Sequence, residues 1–475
     1  MSTRYKGSIL SSTAASSSST AAYGFWKQSE VAQLINTAWA NNDPYWTSVS
    51  MLLHGDGTVG SQNNTFIDSS SNNFTITRTG TPIQGTFNPF GSIAPYTTAV
   101  DGGSGYFAPT SYLSATGNAT TAMGTGAFTW ECWVYVPAAT TYQTFIETRS
   151  NPTVGSTDGF AFALNTATLT PMVYTTSLLG TSSINVTANA WNHVAITRSG
   201  TTLTFWVNGA SGGTITNSTN LSNQTLSVGG SAAPNVNLTG YLSNVRMVKG
   251  TAVYTTAFTP PTSPLTAISG TSLLLGFTNA GVIDNAMVNN LITVGTSTIS
   301  TFTYKYSTGA MTFSGTGAWL TALDSTALQL GTGDFTIEGW VGINATGTAY
   351  AIVSKGAAAT GWSVNITSGN KLQFSYTAAN LTGATSLVAN AWYYFAVVRS
   401  GSGTGNVKIY LNGTADATSS GAVTDNFNQT SILYVGASRT GTTPLNGYID
   451  ELRITKGVAR YTANFTAPQQ AFPSQ

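Results

Sequence analysis

The hydrophobic positions of the chain occur in short runs that are rich in β-branched and aromatic residues and end at Gly, Asn or Asp. Examples are FTWECWV from Phe128, LTFWVNG from Leu203 and VKIYLNG from Val407. Such runs predict short strands joined by turns, and their close succession is typical of an antiparallel sandwich. The Asn-Gly pairs predict tight hairpins, because this dipeptide readily supplies the two positive φ angles of a type I′ turn.

The same runs occur twice, in the same order. LTGYLSNVRMVKGTAVYT (238–255) returns as LNGYIDELRITKGVARYT (445–462), 207 residues later. GTGAFTWECWV (124–134) returns as GTGDFTIEGWV (331–341) at the same offset, and ANAWNHVAITRSG has a second copy in ANAWYYFAVVRSG. Unmatched Gly/Thr/Ser stretches of different length separate these blocks, as loops tolerate. The duplication therefore predicts two consecutive domains.

The predicted fold class is all-β, with two tandem antiparallel β-sandwiches at residues 46–265 and 266–475. TPPTSPLTAISG (259–270) is the expected connection, because proline cannot donate to a strand ladder. Residues 1–45 form a separate N-terminal segment that is expected to be extended and to contain one short helix. The helix is predicted for SEVAQLINTAWA, from Ser29, where apolar residues recur at helical spacing.

The composition excludes several classes of protein. Charged residues make up 7% of the chain, against roughly 25% in ordinary soluble proteins. The net charge is +1 without a basic cluster, so nucleic acid is not an expected partner. No apolar run approaches the roughly 18 residues of a membrane span. Cys132 is the only cysteine, which excludes a disulfide framework.

Four of the repeated blocks carry a family resemblance: FTWECWV, ANAWNHVAITRSG, LTFWVNG and LTGYLSNVRMVKG. They resemble the laminin-G-like domains of the concanavalin A-like jelly-roll superfamily, and both copies contain most of them. The resemblance implies that each sandwich is a jelly roll of two curved sheets. It also implies a glycan or protein binder, sometimes assisted by calcium, in a superfamily that contains glycanases as well.

Catalysis is not expected, because the candidate groups differ between the two copies. His193 aligns with Tyr394 and Cys132 with Gly339, and His54 has no matching histidine. Nucleophilic catalysis requires an oriented base beside the thiol or hydroxyl. Glycoside hydrolysis requires two carboxylates roughly 5–10 Å apart, whereas each FTxExWV strand carries one acid. The chain is therefore predicted not to be an enzyme.

Two acids and two arginines do occur in both copies. Glu131 and Glu338 lie in the FTxExWV strands, and Arg246 and Arg453 lie in the closing strands. A buried carboxylate without a partner is costly, and a bidentate arginine can satisfy it. We therefore expect two structural ion pairs, Glu131–Arg246 and Glu338–Arg453.

Matched tryptophans and aspartates are also expected to be structural. Each copy contains two matched tryptophans, which we expect in the cores. The two aspartates, in FIDSSSNN and VIDNAMVNN, are expected to cap turns rather than to bind metal. In the order of the chain these residues are Asp68, Trp133, Trp191, Asp284, Trp340 and Trp392.

Two loops of the first copy are candidates for ligand binding. They contain Asn151 and Asp158 in the first loop, and Asn235 and Asn237 in the second. Laminin-G-like domains sometimes bind calcium near the position of Asp158. Calcium takes several oxygen ligands including charged ones, and the second copy has Thr360 at the position of Asp158. We therefore expect no cofactor or metal, with calcium as the weaker alternative.

The opening of the chain, RYKGSILSSTAASSSSTAAYGFW, resembles the openings of structural proteins of tailed bacteriophages. The resemblance implies location in a virion and contacts with other virion proteins. The leading hypothesis is a non-enzymatic capsid decoration, fibre or outer tail component. The alternative is a host-attachment protein or lectin-like adhesin that binds cell-surface glycans. Head or tail location and homo-oligomer formation stay open. The residues expected to attach the chain to the particle are Arg4, Tyr5, Lys6, Tyr23, Phe25 and Trp26.

Overall fold

A computed structural model describes residues 43–474 apart from 59, 92–94, 138–141, 166–167, 234–235, 307–308, 358–359 and 378. The described residues form thirty strands and two short 3-10 helices, Trp46–Ser48 and Thr326–Leu328. This confirms the predicted all-β class with tandem jelly-roll sandwiches. The helix expected from Ser29 lies outside the described residues. No helix in the described ranges is long and apolar enough to cross a membrane.

The strands are numbered in chain order. The first half contains β1 (Val49–Leu53), β2 (Thr77–Thr79), β3 (Ile83–Gly85), β4 (Ser104–Phe107), β5 (Tyr112–Ala115), β6 (Phe128–Tyr135), β7 (Gln143–Glu147), β8 (Ala161–Leu164), β9 (Pro171–Tyr174), β10 (Leu178–Thr181), β11 (Trp191–Ser199), β12 (Thr202–Val207), β13 (Ala210–Thr216), β14 (Leu226–Val228) and β15 (Gly240–Lys249). The second half contains β16 (Thr271–Leu275), β17 (Leu291–Val294), β18 (Thr298–Ser300), β19 (Ala310–Ser314), β20 (Trp319–Ala322), β21 (Phe335–Ile343), β22 (Tyr350–Lys355), β23 (Trp362–Ile366), β24 (Lys371–Tyr376), β25 (Ala379–Ser386), β26 (Trp392–Arg399), β27 (Val407–Leu411), β28 (Thr414–Thr418), β29 (Leu433–Val435) and β30 (Asn446–Lys456).

Each sandwich stacks a large sheet on a small sheet. The first large sheet has the order β13-β12-β11-β6-β15-β4-β3, and the first small sheet has the order β10-β9-β8-β7-β14-β5-β2. The second large sheet, β28-β27-β26-β21-β30-β19-β18, and the second small sheet, β25-β24-β23-β22-β29-β20-β17, have equivalent orders. The duplication in the sequence is therefore a duplication of topology.

One strand of each large sheet comes from the opening of the other half. β1 pairs antiparallel with β30, placing Leu52 opposite Arg453. β16 pairs antiparallel with β15, placing Leu274 opposite Arg246. The boundary between the two sandwiches, predicted between residues 265 and 266, stays a prediction for all strands other than β1 and β16. It does not describe these two strands, since each belongs to the sheet of the opposite half.

The exchanged strands contribute buried side chains to the cores that they join. Met51 and Leu53 of β1 are in the second core. Leu273 and Leu275 of β16 are in the first core. Fully burying a side chain of this size contributes about 1.5–3 kcal/mol. Hydrophobic burial is therefore a main force that holds each exchanged strand.

A turn aspartate of each half fixes the exchanged strand of the other. Asp68 accepts backbone hydrogen bonds within its own turn and a further one from the Leu274 N–H of β16 at 3.0 Å. Asp284 accepts backbone hydrogen bonds within its own turn and one from the Leu52 N–H of β1 at 3.0 Å. The expected capping role is present. Its extension to the exchanged strands was not predicted.

The two Asn-Gly hairpins form as predicted. Asn208 and Gly209 have φ angles of 48° and 81°, and Asn412 and Gly413 have angles of 50° and 84°. Glycine is required at position 209 for a second reason, since a Cβ there would lie 1.8 Å from the carbonyl oxygen of Phe258. Residues 250–260 return along the outer face of the first large sheet after β15, and they therefore pack directly on this turn. We call this segment and its counterpart at 457–467 the returning segments.

His54 follows β1 and contacts the C-terminal part of the chain. Its Nδ1 lies 2.9 Å from Glu451 Oε2, and its Nε2 lies 2.9 Å from Ser474 Oγ. Burial disfavours the charged imidazole. The hydrogen bond and charge of Glu451, with the charges of Asp56 and Asp450, outweigh burial and raise the pKa of His54. A charged His54 thus helps to hold β1 against β30.

We predict that the stability contributed by His54 falls as the pH rises. The pKa of His54 is raised above 6.5 in the folded chain. The contribution is therefore complete below the unfolded pKa and is lost as the pH rises through the folded pKa. Urea unfolding of the wild type and of His54→Gln should show a stability difference that shrinks in this window. A difference that stays constant with pH would contradict the assignment.

Candidate functional site

The first predicted ion pair lies on the outer face of the first large sheet. Glu131 of β6 stands opposite Arg246 of β15, whose Nε and Nη2 donate to Glu131 Oε1 at 2.8 and 2.6 Å. The other oxygen accepts from the Tyr254 hydroxyl at 2.6 Å and lies 3.1 Å from His193 Nε2. Burial opposes ionisation, but the His193 hydrogen bond and the Arg246 charge keep the pKa of Glu131 lowered.

The second predicted pair has the same geometry. Arg453 donates from Nε and Nη2 to Glu338 Oε1, both at 2.9 Å. Glu338 Oε2 accepts from the Tyr461 hydroxyl at 2.8 Å and also from the Tyr394 hydroxyl. Burial, followed by the charge of Glu338, raises the pKa of Tyr394. Tyr394 thus makes the contact that His193 makes in the first half, which explains why the histidine is not duplicated.

Asp43, close to the start of the described chain, joins the second cluster. It accepts from Arg453 Nη1 at 2.9 Å and from Arg460 Nη1 and Nη2 at 2.9 and 2.7 Å. Burial opposes its ionisation, but the Arg460 hydrogen bonds and the Arg453 charge keep its pKa lowered. The start of the described chain is therefore bound to the second sandwich. The six residues predicted to attach the chain to a particle all lie outside the described residues.

The sequence predicts that the four matched tryptophans are buried in the cores, but they lie on the outer faces of the large sheets, outside the two sandwich cores. Side chains alternate along a strand, so Trp133 faces outward with Glu131 while its neighbours face the core. Trp133 and Trp340 are buried on the outer faces of the large sheets. Trp191 and Trp392 are only partly buried, so the expectation of burial is also wrong for these two.

A groove of about 300 Å³ lies on the first small sheet beside the two predicted ligand loops. We call it the loop groove. It is lined by Thr77 and Tyr112 of the sheet, by Ser150 and Pro152 of one loop, and by Ser231 of the other. One aromatic ring and several hydroxyl groups thus face a common space, so the groove could stack and hydrogen-bond a small polar ligand.

The predicted loop residues shape the loops rather than line the groove. Asn151 Oδ1 accepts a backbone hydrogen bond within its own loop. Asp158 accepts from the Ser150 N–H at 3.1 Å, and Asn237 Oδ1 accepts from the Ser231 N–H at 2.9 Å. Burial opposes ionisation of Asp158, but the hydrogen bonds keep its pKa lowered. Asn235 lies outside the described residues.

An ion pair in the loop groove was not predicted from the sequence. Arg149 donates from Nε and Nη2 to Glu147 at 2.9 and 2.8 Å. Both residues line the groove, and Glu147 is the single carboxylate among its described lining residues. The sequence signal that could have revealed this pair is its spacing of two residues, because that spacing places both side chains on one face of an extended chain. The groove lacks the second acid that glycoside hydrolysis requires.

His54 also lies between Ser474 and Glu451, a serine–histidine–carboxylate connectivity that the sequence analysis did not predict. Glu451 Oε2 also accepts from the Phe472 N–H at 2.6 Å. We interpret the arrangement as a tether for the C-terminal residues.

Within the described ranges, no group of three or more His, Cys, Asp or Glu is placed to hold a metal ion.

We predict that Arg246→Met lowers the free energy of unfolding by about 3–5 kcal/mol, because it leaves Glu131 buried without its main partner. Chemical denaturation measures the change. Arg78 is exposed, so Arg78→Met is the matched control and should change stability by less than about 0.5 kcal/mol. Equal effects of the two substitutions would contradict a structural role for the buried pair.

The model of the concanavalin A-like lectin/glucanases superfamily matches residues 101–259 and 314–460. No curated protein sequence is significantly similar to the chain. Among solved structures, domains LG4-5 of the mouse laminin alpha1 chain are 13% identical, with 80% of this chain and 98% of that chain covered at a TM-score of 0.29.

Two further solved structures are similar at comparable identity. A putative carbohydrate-binding protein from Bacteroides ovatus is 13% identical, with 71% of this chain and 77% of that chain covered at a TM-score of 0.22. The sialidase of Trypanosoma rangeli is 11% identical, with coverage of 61% and 46% and a TM-score of 0.31. These scores are low, so the family assignment rests on the two matched segments. The two matched segments span well over half of the chain. The chain therefore belongs to the concanavalin A-like lectin/glucanases superfamily, with one laminin-G-like match in each half.

Proposed function

We propose that the chain is a non-enzymatic structural protein of a bacteriophage virion that displays two laminin-G-like binding domains. It would serve as a capsid decoration, a fibre or an outer tail component. The virion location is supported by the resemblance of the opening sequence to structural proteins of tailed phages. The observation that carries the non-enzymatic part is the engagement of the sandwich glutamates in arginine pairs.

Each of these acids already has a fixed partner. Glu131 and Glu338 are fully buried beneath the returning segments, and Glu147 has a bidentate arginine at the loop groove. A hydrolase of this superfamily needs one carboxylate to donate a proton and a second to act as base or nucleophile. The loop groove does not supply this pair, because Glu147 is the single carboxylate among its described lining residues.

The anchor at Asp43 supports display from the N-terminal segment. Its contacts with Arg453 and Arg460 precede β1, which is hydrogen-bonded into the second large sheet. A pulling force on residues 1–42 would therefore act on the second large sheet through Asp43 and β1. Attachment through aromatic side chains such as Phe25 and Trp26 stays a prediction, in line with the usual dominance of aromatic anchors.

The second candidate function is recognition of cell-surface glycans, as a host-attachment protein or a lectin-like adhesin. The loop groove favours it, because Tyr112 supplies an aromatic ring beside the hydroxyl groups of Thr77, Ser150 and Ser231. The same chain could carry both functions, with the N-terminal segment on the particle and the groove toward the host.

We predict that deletion of residues 1–42 abolishes incorporation into phage particles and leaves the sandwiches folded. The deletion ends before Asp43, because Asp43 is part of the second ion cluster. Quantitative mass spectrometry of purified particles measures copy number, and circular dichroism checks the fold. Tyr112→Ala is the matched control and should incorporate normally. Normal incorporation of the deletion variant would refute attachment through this segment.

We predict that Tyr112→Ala weakens glycan binding in the loop groove by about tenfold, since an aromatic contact contributes about 0.5–1.5 kcal/mol beyond its area. Wild type and variant are compared on a glycan array and by titration calorimetry. Exposed Tyr142 lies outside the residues that line the groove, so Tyr142→Ala is the matched control. Unchanged binding by Tyr112→Ala would exclude the groove as the glycan site.

A further inference from the structure

The outer face of each large sheet carries an aromatic cluster at one end, and the two clusters differ. In the first half the cluster consists of Tyr135, Trp191 and Tyr241. Phe87 closes it, with its ring centroid 5.2 Å from Tyr135, 5.2 Å from Trp191 and 4.8 Å from Tyr241. Four aromatic rings therefore pack against one another at this position in the first half.

In the second half the same positions enclose a cavity. Trp392 and Tyr448 match Trp191 and Tyr241, but Gly342 replaces Tyr135. The two remaining rings lie 6.3 Å apart at an angle of 48°. Together with Thr303 and their neighbours they line a cavity of about 290 Å³. We call this cavity the Trp392 pocket.

The fold does not require glycine at position 342. A Cβ placed there would lie 3.6 Å from the Trp392 ring and 3.6 Å from the Ala391 carbonyl oxygen, which is ordinary van der Waals contact. Its φ is outside the left-handed region that favours glycine. The repeat itself carries tyrosine at this position in the other half. The pocket thus results from a local difference in sequence between two otherwise matched sheets.

The lining of the pocket is uncharged and combines rings with amides. Trp392 and Tyr448 are partly exposed, and Asn344 and Asn390 stand exposed at the rim. The Asn344 amide donates to Asn446 Oδ1 at 3.0 Å. The backbone N–H of Asn390 donates to the Ile343 carbonyl oxygen at 2.7 Å. These bonds hold the side-chain amide of Asn344 and the backbone of Asn390 beside the rings.

This chemistry selects a neutral ligand with one apolar face and several hydroxyl groups. A pyranose ring stacks its C–H face on an aromatic ring, while amide groups both donate to and accept from its hydroxyls. A charged ligand would be desolvated in the pocket without a partner, which is costly. The volume of about 290 Å³ is just below the roughly 300–1,000 Å³ range of drug-sized ligand sites, so it suits a single small unit.

We propose that the Trp392 pocket binds one neutral hexopyranose unit of a glycan, stacked on Trp392 and hydrogen-bonded by Asn344 and Asn390. Phe302 is 97% exposed next to Thr303, so it offers a further ring to the adjoining sugar unit. The proposal rests on the glycan-binding candidate above and adds a binding site in the second half that is separate from the loop groove.

The test uses the full chain with methyl glycosides of glucose, galactose and mannose, and with lactose as a disaccharide. Saturation-transfer NMR identifies the sugar protons in contact, and titration calorimetry gives the Kd. We expect binding by the wild type and loss of affinity by about tenfold or more in Gly342→Tyr and Trp392→Ala. Gly342→Tyr reproduces the residue of the first half and fills the pocket without removing a ring.

Asn390→Ala is a second variant that leaves the aromatic rings intact, and its weakened binding would support the proposal should a larger substitution unfold the chain. Exposed Tyr142 lies outside the residues that line the Trp392 pocket and the loop groove, so Tyr142→Ala is the control and should bind like wild type. Binding lost in Tyr112→Ala but kept in Gly342→Tyr and Asn390→Ala would overturn the proposal and leave glycan binding at the loop groove. The absence of binding to all four sugars would also overturn it, whereas virion incorporation would be unaffected.

Discussion

The pairing of β1 with β30 and of β16 with β15 is the constraint on which the rest of the structure depends. Each sandwich lacks one strand until the other half supplies it. The exchanged strands fill the opposite cores, and the turn aspartates Asp68 and Asp284 accept hydrogen bonds from them. The two domains are therefore interlocked rather than joined only by a linker.

The duplication separates residues that the architecture needs from residues that are free to differ. The Glu–Arg pair and the tyrosine of the returning segment are present in both halves, because a buried carboxylate must be satisfied in each large sheet. His193 and Tyr394 differ in type but make the same contact with the glutamate. Tyr135 and Gly342 differ with no structural requirement, and this difference opens the Trp392 pocket.

Much of the fold could be predicted from the sequence, because period-2 hydrophobic runs, Asn-Gly turns and an internal repeat are local signals. The ion pairs could be predicted because both partners recur at matched positions. The strand exchange could not, since MLLHGDG and LLLGFTN are similar enough to suit either large sheet. The partly exposed Trp392 and the Glu147–Arg149 pair depend on which residues cover each sheet, and local sequence does not specify this.

The most direct test of the interlocked architecture is cleavage of the connection between the halves. Residues 266–270 are exposed, so a protease site inserted between Ala267 and Ile268 can be cut in the folded chain. The two fragments should then elute together in native size-exclusion chromatography and separate only in denaturant, because each contains a strand of the other's sheet. Fragments that separate in native buffer as two folded domains would contradict the exchange.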